Sequence, residues 1–415
     1  MKYLTQFETK AEYDSHIATP GVLLPNVSYV EMLDEVKYKQ KVFLNKELTF
    51  RAMSDNCVFR LRVNPNLYSA DDGTVSIDLQ YRYNGGTWTD IDIYEERGLI
   101  IPMHEDDIVQ LRGNNTTLSF TPNSEPGGGV IKGVQEETKG ETKSKTNSLV
   151  KGAQEGSINF FIWKYMSGKW EVNGNIMSLI QRTNFSGLTS VVEDAFYAFW
   201  GGFPMNSGGS TPQLGGPLSF DNNFPGFVNA KNLVLPATTL GANCYQMMFM
   251  ACADLVIAPA ILPATTLSAG SYMSMFMGCS SLVKAPMIAA TTLADSCCSY
   301  MFGMCSSLQT APALLANTLV SGCYTEMFSD CTKLNYVKCL ATPISSTPSR
   351  GYNEYTGYWL QDVAADGIFV QRNDAGTWST GNSGIPCDWK VFDDNGMPLG
   401  IACNNYGGGG SEIVA

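Results

Sequence analysis

Thiols are the residues in this chain whose type and spacing could do chemistry. Of its 12 cysteines, eight fall in one stretch, at Cys244, Cys252, Cys279, Cys297, Cys298, Cys305, Cys323 and Cys331. Such a cluster could be a disulfide framework or a thiolate metal site. Three features favour packing instead. No Cys-x-x-Cys pair occurs in the sequence, and the two histidines, His16 and His104, lie far from the cluster. Ser271 stands where the pattern elsewhere places cysteine, an exchange that a required disulfide or ligand would not tolerate. Small, buried, polarisable side chains stacked in register are therefore expected, and reduced thiols fit assembly in a cytoplasm.

Other candidate sites are thin. His104-Glu105-Asp106-Asp107 could be a metal cluster, but four adjacent residues cannot all converge on one ion, and a polar turn is expected. Asp393-Asp394-Asn395-Gly396 lacks the alternating spacing and distant glutamate of a calcium loop. Gly127–Gly129 and Gly407–Gly410 read as linkers. General acid–base catalysis lacks its commonest agent, histidine, and no carboxylate pair suited to glycan hydrolysis stands out. The expectation is a protein that is not an enzyme and uses no cofactor or metal.

The cysteines belong to a repeat. Four copies align on Leu240, Leu267, Leu293 and Leu319, at intervals of 27, 26 and 26 residues. Each continues through Cys244, Ser271, Cys297 or Cys323, then a Met-Phe step at Phe249, Phe276, Phe302 and Phe328. It closes on Cys252, Cys279, Cys305, Cys331 and then Leu255, Leu282, Leu308, Leu334. A register this tight signals stacked copies of one unit too small to bury its own apolar face. The recurrence of apolar positions four residues apart predicts a helix, followed by a short extended piece such as Leu255–Ile257 that ends near Pro259, Pro286 or Pro312. A threonine precedes each aligned leucine at Thr239, Thr266, Thr292 and Thr318, itself preceded by Thr238, Thr265, Thr291 or Asn317. One of these columns is expected to bond the turn backbone and the other to face solvent.

With its Leu-Pro-Ala-Thr-Thr-Leu lead and Met-Phe-x-x-Cys-x-x-Leu core, the repeat resembles the BspA-like leucine-rich repeat of gut and oral bacteria and their phages. The resemblance spans roughly residues 170 to 395, from the phrase Gly174–Leu179 to Gly384-Ile385-Pro386 and Trp389, and is interrupted by a Gly/Ser/Pro-rich insertion at 205–223. It implies a right-handed solenoid with helix plus short parallel strand in each coil, used for adhesion or recognition.

Upstream, residues 1–40 read as a docking tether. The phrase Leu24-Pro25-Asn26-Val27-Ser28-Tyr29 with the strand-like Glu35–Tyr38 resembles the N-terminal segment of structural proteins of Bacteroides phages, including crAss-like phages. That likeness implies docking to a virion through Leu24, Pro25, Asn26, Val27 and Tyr29. Residues 41–180 alternate apolar and polar positions in short runs such as Leu48–Ala52 and Ile108–Arg112, with a hairpin signal at Asn84-Gly85-Gly86. An antiparallel β-sandwich is expected there. It contains an apolar-poor insertion at 122–156, expected to lack order without a partner. The solenoid would occupy 181–340, and 341–415 would be a C-terminal cap and tail. The fold class expected is thus mixed α+β.

Composition limits the functions open to the chain. A net charge of −12, with charged residues only 16% of the chain, argues against nucleic-acid binding by a basic patch. No apolar run has the length of a membrane span. The polar start, with Glu8, Glu12 and Asp14, has no signal-peptide core, so export by the general route and membrane insertion are not expected. The function these features predict is a virion structural protein, a head or tail fibre or decoration protein. It would contact capsid or tail proteins and display its repeats to a host-surface glycan or protein as a homo-oligomeric dimer or trimer. The alternatives are a bacterial cell-surface adhesin and, further off, a glycan-degrading appendage.

Overall fold

The computed structural model describes residues 42–63, 77–92, 98–115, 119–120, 158–159, 161–162, 166–201, 226–343, 355–381, 383–402 and 413–414. The docking residues Leu24–Tyr29, His16 and both insertions (122–156 and 205–223) lie outside them. Alternating burial builds the first part. Its strands are β1 (Leu48–Ala52), β2 (Cys57–Val63), β3 (Leu79–Tyr83), β4 (Thr89–Asp90), β5 (Leu99–Met103) and β6 (Ile108–Gly113). In β1, Leu48, Phe50 and Ala52 point into the core while Arg51 is exposed, the period of two that a half-buried strand requires. Asn84 and Gly85 both have left-handed backbone, at φ 46° and 73°, which suits the tight hairpin between β3 and β4.

Two sheets result. The larger runs Gly226–Asn229, Lys169–Asn175, β1, β6, β3, β4; the smaller runs β5, β2, Phe161–Ile162. Phe50 of one meets Phe59 of the other, with ring centroids 5.2 Å apart. The larger sheet departs from the antiparallel β-sandwich expected. Lys169–Asn175 pairs in parallel with Gly226–Asn229 and Leu233–Val234, so the sheet is mixed and runs directly into the repeats. Gly174 permits this junction: its φ is +82°, and a Cβ there would meet the Glu47 carbonyl oxygen at 2.0 Å.

The repeats overturn the expected helix-plus-strand solenoid and, with it, the mixed α+β class. Helical residues among those described are confined to one turn at 42–44 and two 3-10 turns, Ile176–Leu179 and Phe185–Gly187; the described structure is otherwise β-strand, bridge and turn. The segment expected to be helical is a run of tandem turns. Every fourth residue is left-handed: Asn243, Met247 and Ala251 have φ 51°, 56° and 64°. Gly270, Ser274 and Gly278, then Ser296, Tyr300 and Met304, then Gly322, Glu326 and Asp330 follow suit. Backbone N–H groups alternate in destination. Gln246, Met248, Met250 and Cys252 donate three residues back within the coil, whereas Asn243, Tyr245, Met247, Phe249 and Ala251 donate to Ala269, Ser271, Met273, Met275 and Met277 of the next coil at 2.8–3.1 Å. An α-helix would direct every N–H to its own i−4 carbonyl and leave none for a neighbour.

Left-handed backbone at a non-glycine residue costs about 1–2 kcal/mol. The inter-coil hydrogen bonds, and the need to pair every buried amide, offset that cost. Two flanking coils without the Met-Phe-x-x-Cys signature join the same ladder. Asp194, Phe196, Ala198 and Trp200 donate to Ala242, Cys244, Gln246 and Met248, and Tyr324, Glu326, Phe328 and Asp330 donate to Tyr355, Gly357, Trp359 and Gln361. On the other side of each coil lie short parallel pairings, among them Ile261–Leu262 with Met287–Ile288, and Ile257 with Lys284. The C-terminal region continues this ladder: Tyr336–Cys339, Ile368–Gln371 and Lys390–Asp393 pair in parallel before the chain reverses through Pro398–Ala402.

One core serves both parts. Trp200 lies 6.3 Å from Phe50 and 5.0 Å from Phe249. From there Phe249, Phe276, Phe302 and Phe328 stack with centroids 5.3, 5.5 and 5.6 Å apart and ring planes within 8° of parallel. Beside this column, Trp359 stacks on Tyr324 at 6.3 Å and on Trp378 at 5.4 Å, and its indole N–H donates to the Gly384 carbonyl at 2.8 Å.

Candidate functional site

The repeated cysteines are packing elements with a specific bond. Cys279, Cys305 and Cys331 each donate Sγ–H to the carbonyl of Phe249, Phe276 and Phe302, one coil earlier, at 3.2, 3.2 and 3.0 Å. That carbonyl already accepts the N–H of the cysteine in its own coil, so the thiol fills its second lone pair. Serine at these positions would keep the donor but leave space in a close-packed column. Cys244, Cys297 and Cys323 occupy the other rung with Ser271, all buried. Every cysteine among the described residues is a free thiol. Burial pushes Cys323, Cys331 and Cys339 up to about 12, and Cys244 and Cys252 higher still. Cys298 donates to its neighbour Cys297, which draws the Cys297 thiol down and pushes its own up. Cys297 apart, these thiols are buried and held protonated, which makes them poor nucleophiles and poor ligands. Among the described residues, no three His, Cys, Asp or Glu side chains are placed to hold a metal ion.

The two acidic candidates are turn locks. Asp107 accepts from the Tyr83 hydroxyl, from Asn84 Nδ2 at 2.7 Å and from the His104 backbone at 2.8 Å, while Asn84 Oδ1 takes the Ile108 N–H at 2.8 Å. The cluster therefore ties the β3–β4 hairpin to the start of β6. Asp393 Oδ1 is occupied by the backbone N–H groups of Asn395 and Met397 at 3.0 and 2.7 Å, which makes the Asp393–Gly396 loop an Asx turn.

What the coils present outward is hydroxyl. Thr239, Thr266, Thr292 and Thr318 are all exposed, and so are Thr238, Thr265, Thr291 and Asn317. Ser190 extends the column by one coil, paired in parallel with Thr239, and Thr266 bridges Thr292 in the same sense. Thr238 and Thr291 reach the carbonyls of Thr189 and Thr265, one coil earlier, at 3.5 and 3.4 Å. These carbonyls also accept the backbone N–H groups of Thr238, Thr239, Thr291 and Thr292. Both columns thus face solvent, and one also braces the turn. Parallel pairing sets successive hydroxyls about 4.8 Å apart. The Ser190 position carries no signature in the linear sequence, because its coil lacks the Met-Phe-x-x-Cys core.

No protein-family model, curated protein or solved structure matches this chain.

Proposed function

We propose that this chain is a non-enzymatic display and adhesion protein. Its hydroxyl edge, from Ser190 through Thr239, Thr266 and Thr292 to Thr318, binds a repeating polymer, a cell-surface polysaccharide foremost. The observation that carries the reading is that edge: exposed donors and acceptors at one repeat position, paired in parallel from Ser190 to Thr239 and from Thr266 to Thr292. Each hydroxyl contributes little. A polymer whose own repeat matches several rungs gains by multivalency what a single sugar cannot. The proposed mounting is a virion, as a head or tail fibre or decoration protein, with Leu24–Tyr29 docking to capsid or tail and the chain acting as a symmetric dimer or trimer.

Binding of the full chain to polysaccharide extracted from the host cell surface tests the edge. The double variant Thr266→Val, Thr292→Val keeps side-chain shape and removes two hydroxyls. An affinity at least about tenfold weaker, with unchanged melting temperature, is the expected result. Equal binding by both proteins overturns the edge. Mass spectrometry of purified virions tests the mounting: the chain must be present in the particles, and its absence there, with presence on bacterial surfaces, moves the reading to a cellular adhesin.

A further inference from the structure

The solvent face of the larger sheet carries a second, unrelated arrangement. Trp88, just before β4, folds back over the strands. The guanidinium carbons of Arg82 on β3 and Arg112 on β6 lie 4.7 and 4.0 Å from its ring centroid. Each arginine is also held by a glutamine on the other strand: Arg82 Nε donates to Gln110 Oε1 at 2.7 Å, and Arg112 Nε donates to Gln80 Oε1 at 2.9 Å. The glutamines are themselves anchored, Gln110 to Thr49 Oγ1 at 3.3 Å and Gln80 to Asp90 Oδ1 at 2.8 Å. Two guanidinium groups are thereby fixed by stacking and by Nε; the Nη2 of Arg82 is engaged by Glu47, whereas the Nη groups of Arg112 have no carboxylate partner among the described residues.

Charge pairing on this face is uneven. Arg51 bonds Asp106 and Glu171 at 2.6 and 2.8 Å, Arg82 reaches Glu47 at 3.5 Å, and Arg182 pairs with Asp78. Arg112 has no carboxylate within ion-pair distance among the described residues. Burial, then the nearby Arg182 and Arg82, hold its pKa below the ordinary guanidinium value, with only Glu47 opposing them. A preorganised guanidinium crowded by like charge is a receptor for a bidentate oxyanion. Asn114, two residues on from Arg112, is exposed and suits a hydroxyl group of a sugar ring.

We infer that the Arg112 fork, flanked by Arg82 and Arg182 and steadied on Trp88, binds the carboxylate or sulfate of an acidic saccharide. The site is separate from the hydroxyl edge and stands or falls without it.

The probes are an oligogalacturonate, which carries carboxylates, and a heparin oligosaccharide, which carries sulfates. A neutral dextran oligomer and poly-glutamate serve as controls. Calorimetric titration of the full chain at low salt should show binding of at least one acidic saccharide and none of dextran. Whichever saccharide binds identifies the oxyanion. Arg112→Gln should weaken that binding by about tenfold or more, the loss of a charge-assisted bidentate pair. Arg112→Lys, which keeps charge without the fork, should fall between. Arg51→Gln, which removes a cation from the same sheet face at a carboxylate-paired position, should leave binding unchanged. Thermal melts of all three variants show that they fold. No binding of either acidic saccharide overturns the site. So do equal losses in Arg112→Gln and Arg51→Gln, which would mean general charge attraction, and binding of poly-glutamate in preference to both saccharides, which would mean a peptide partner.

Discussion

The stacked coils and the sheet face around Trp88 hold side chains in register by opposite means. In the coils, backbone bonds between successive turns fix the spacing and identical residues fall on top of one another: Phe on Phe, Cys beneath carbonyl, Thr beside Thr. On the sheet face, unlike residues meet across strands, Arg with Gln, Arg with Glu and Arg over Trp. A homogeneous ladder needs only a repeated backbone geometry and can be lengthened without redesign. A heterogeneous network needs each partner, and so it can make one site of one chemistry. Repetition of side chains therefore suits a periodic partner, as proposed for the threonine edge, and a single unrepeated constellation suits a single ligand group, as proposed for Arg112.

The contrast can be broken first with alkali. The thiols of Cys323, Cys331 and Cys339 are raised by burial from 9.0 to about 12. Groups held protonated in the fold contribute full stability below pH 9, and lose it as pH rises from there through the folded value. Each costs about 1.4 kcal/mol per pH unit in that window, and the buried Tyr245, Tyr272 and Tyr324 are pushed up in the same direction. Urea midpoints should fall steeply above pH 9; a flat profile to pH 10.5 contradicts the thiol ladder.

Next comes the aromatic column. Phe276→Ala should cost about 3–5 kcal/mol, and Phe50→Ala a similar amount. Because one core joins sheet and coils, either variant should shift a single denaturation transition seen by both near- and far-ultraviolet circular dichroism. Two separated transitions would show that the two regions are energetically independent.

A smaller effect distinguishes tandem turns from helix by its sign. Asp330 is exposed with φ 61°. Asp330→Val should destabilise by about 1–2 kcal/mol, while Asp330→Gly should be neutral or mildly stabilising. In a helix glycine would be the worse substitution. The smallest effect belongs to the hairpin. Hydrogen bonds from Tyr83, the His104 backbone and Asn84 hold Asp107 below its ordinary 3.8. Its contribution is complete above that value and disappears as pH falls through the lower folded value. Asp107→Asn should speed amide exchange at Asn84–Gly86 and Ile108 while leaving the coils unaffected.

Register and spacing were legible in the sequence, and turn geometry was not. The aligned leucines at 240, 267, 293 and 319 place every rung, and Ser271 among the cysteines separates packing from a disulfide or metal framework. The helix expectation failed because a strict period of four drifts only about 40° per step from an α-helix, so three positions still fall within a helical stripe. What the pattern lacks is a helix-forming reason for the glycine, serine and asparagine at its first left-handed slot, Asn243, Gly270, Ser296 and Gly322. Those residues were the available signal. Arg82, Trp88 and Arg112 read in the sequence as the ordinary polar side of alternating strands. Only cross-strand pairing of Gln80 with Arg112 and Arg82 with Gln110 brings them under one indole.

In the tandem turns the hydrogen bonds between coils point one way, from the N–H groups of each coil to the carbonyls of the one that follows, whereas on the threonine side Thr291 and Thr292 donate back to Thr265 of the coil before. The stack therefore has a head and a tail, and any coil from the second to the fifth presents the same donors below and the same acceptors above. A unit of 26 residues, such as Leu267 to Thr292, can be copied or excised in frame without creating a new kind of junction. Gene duplication thus has a ready ruler: each added copy lengthens the threonine edge by about one strand spacing of 4.8 Å and adds one more rung, so length and the number of exposed hydroxyls change together in equal steps.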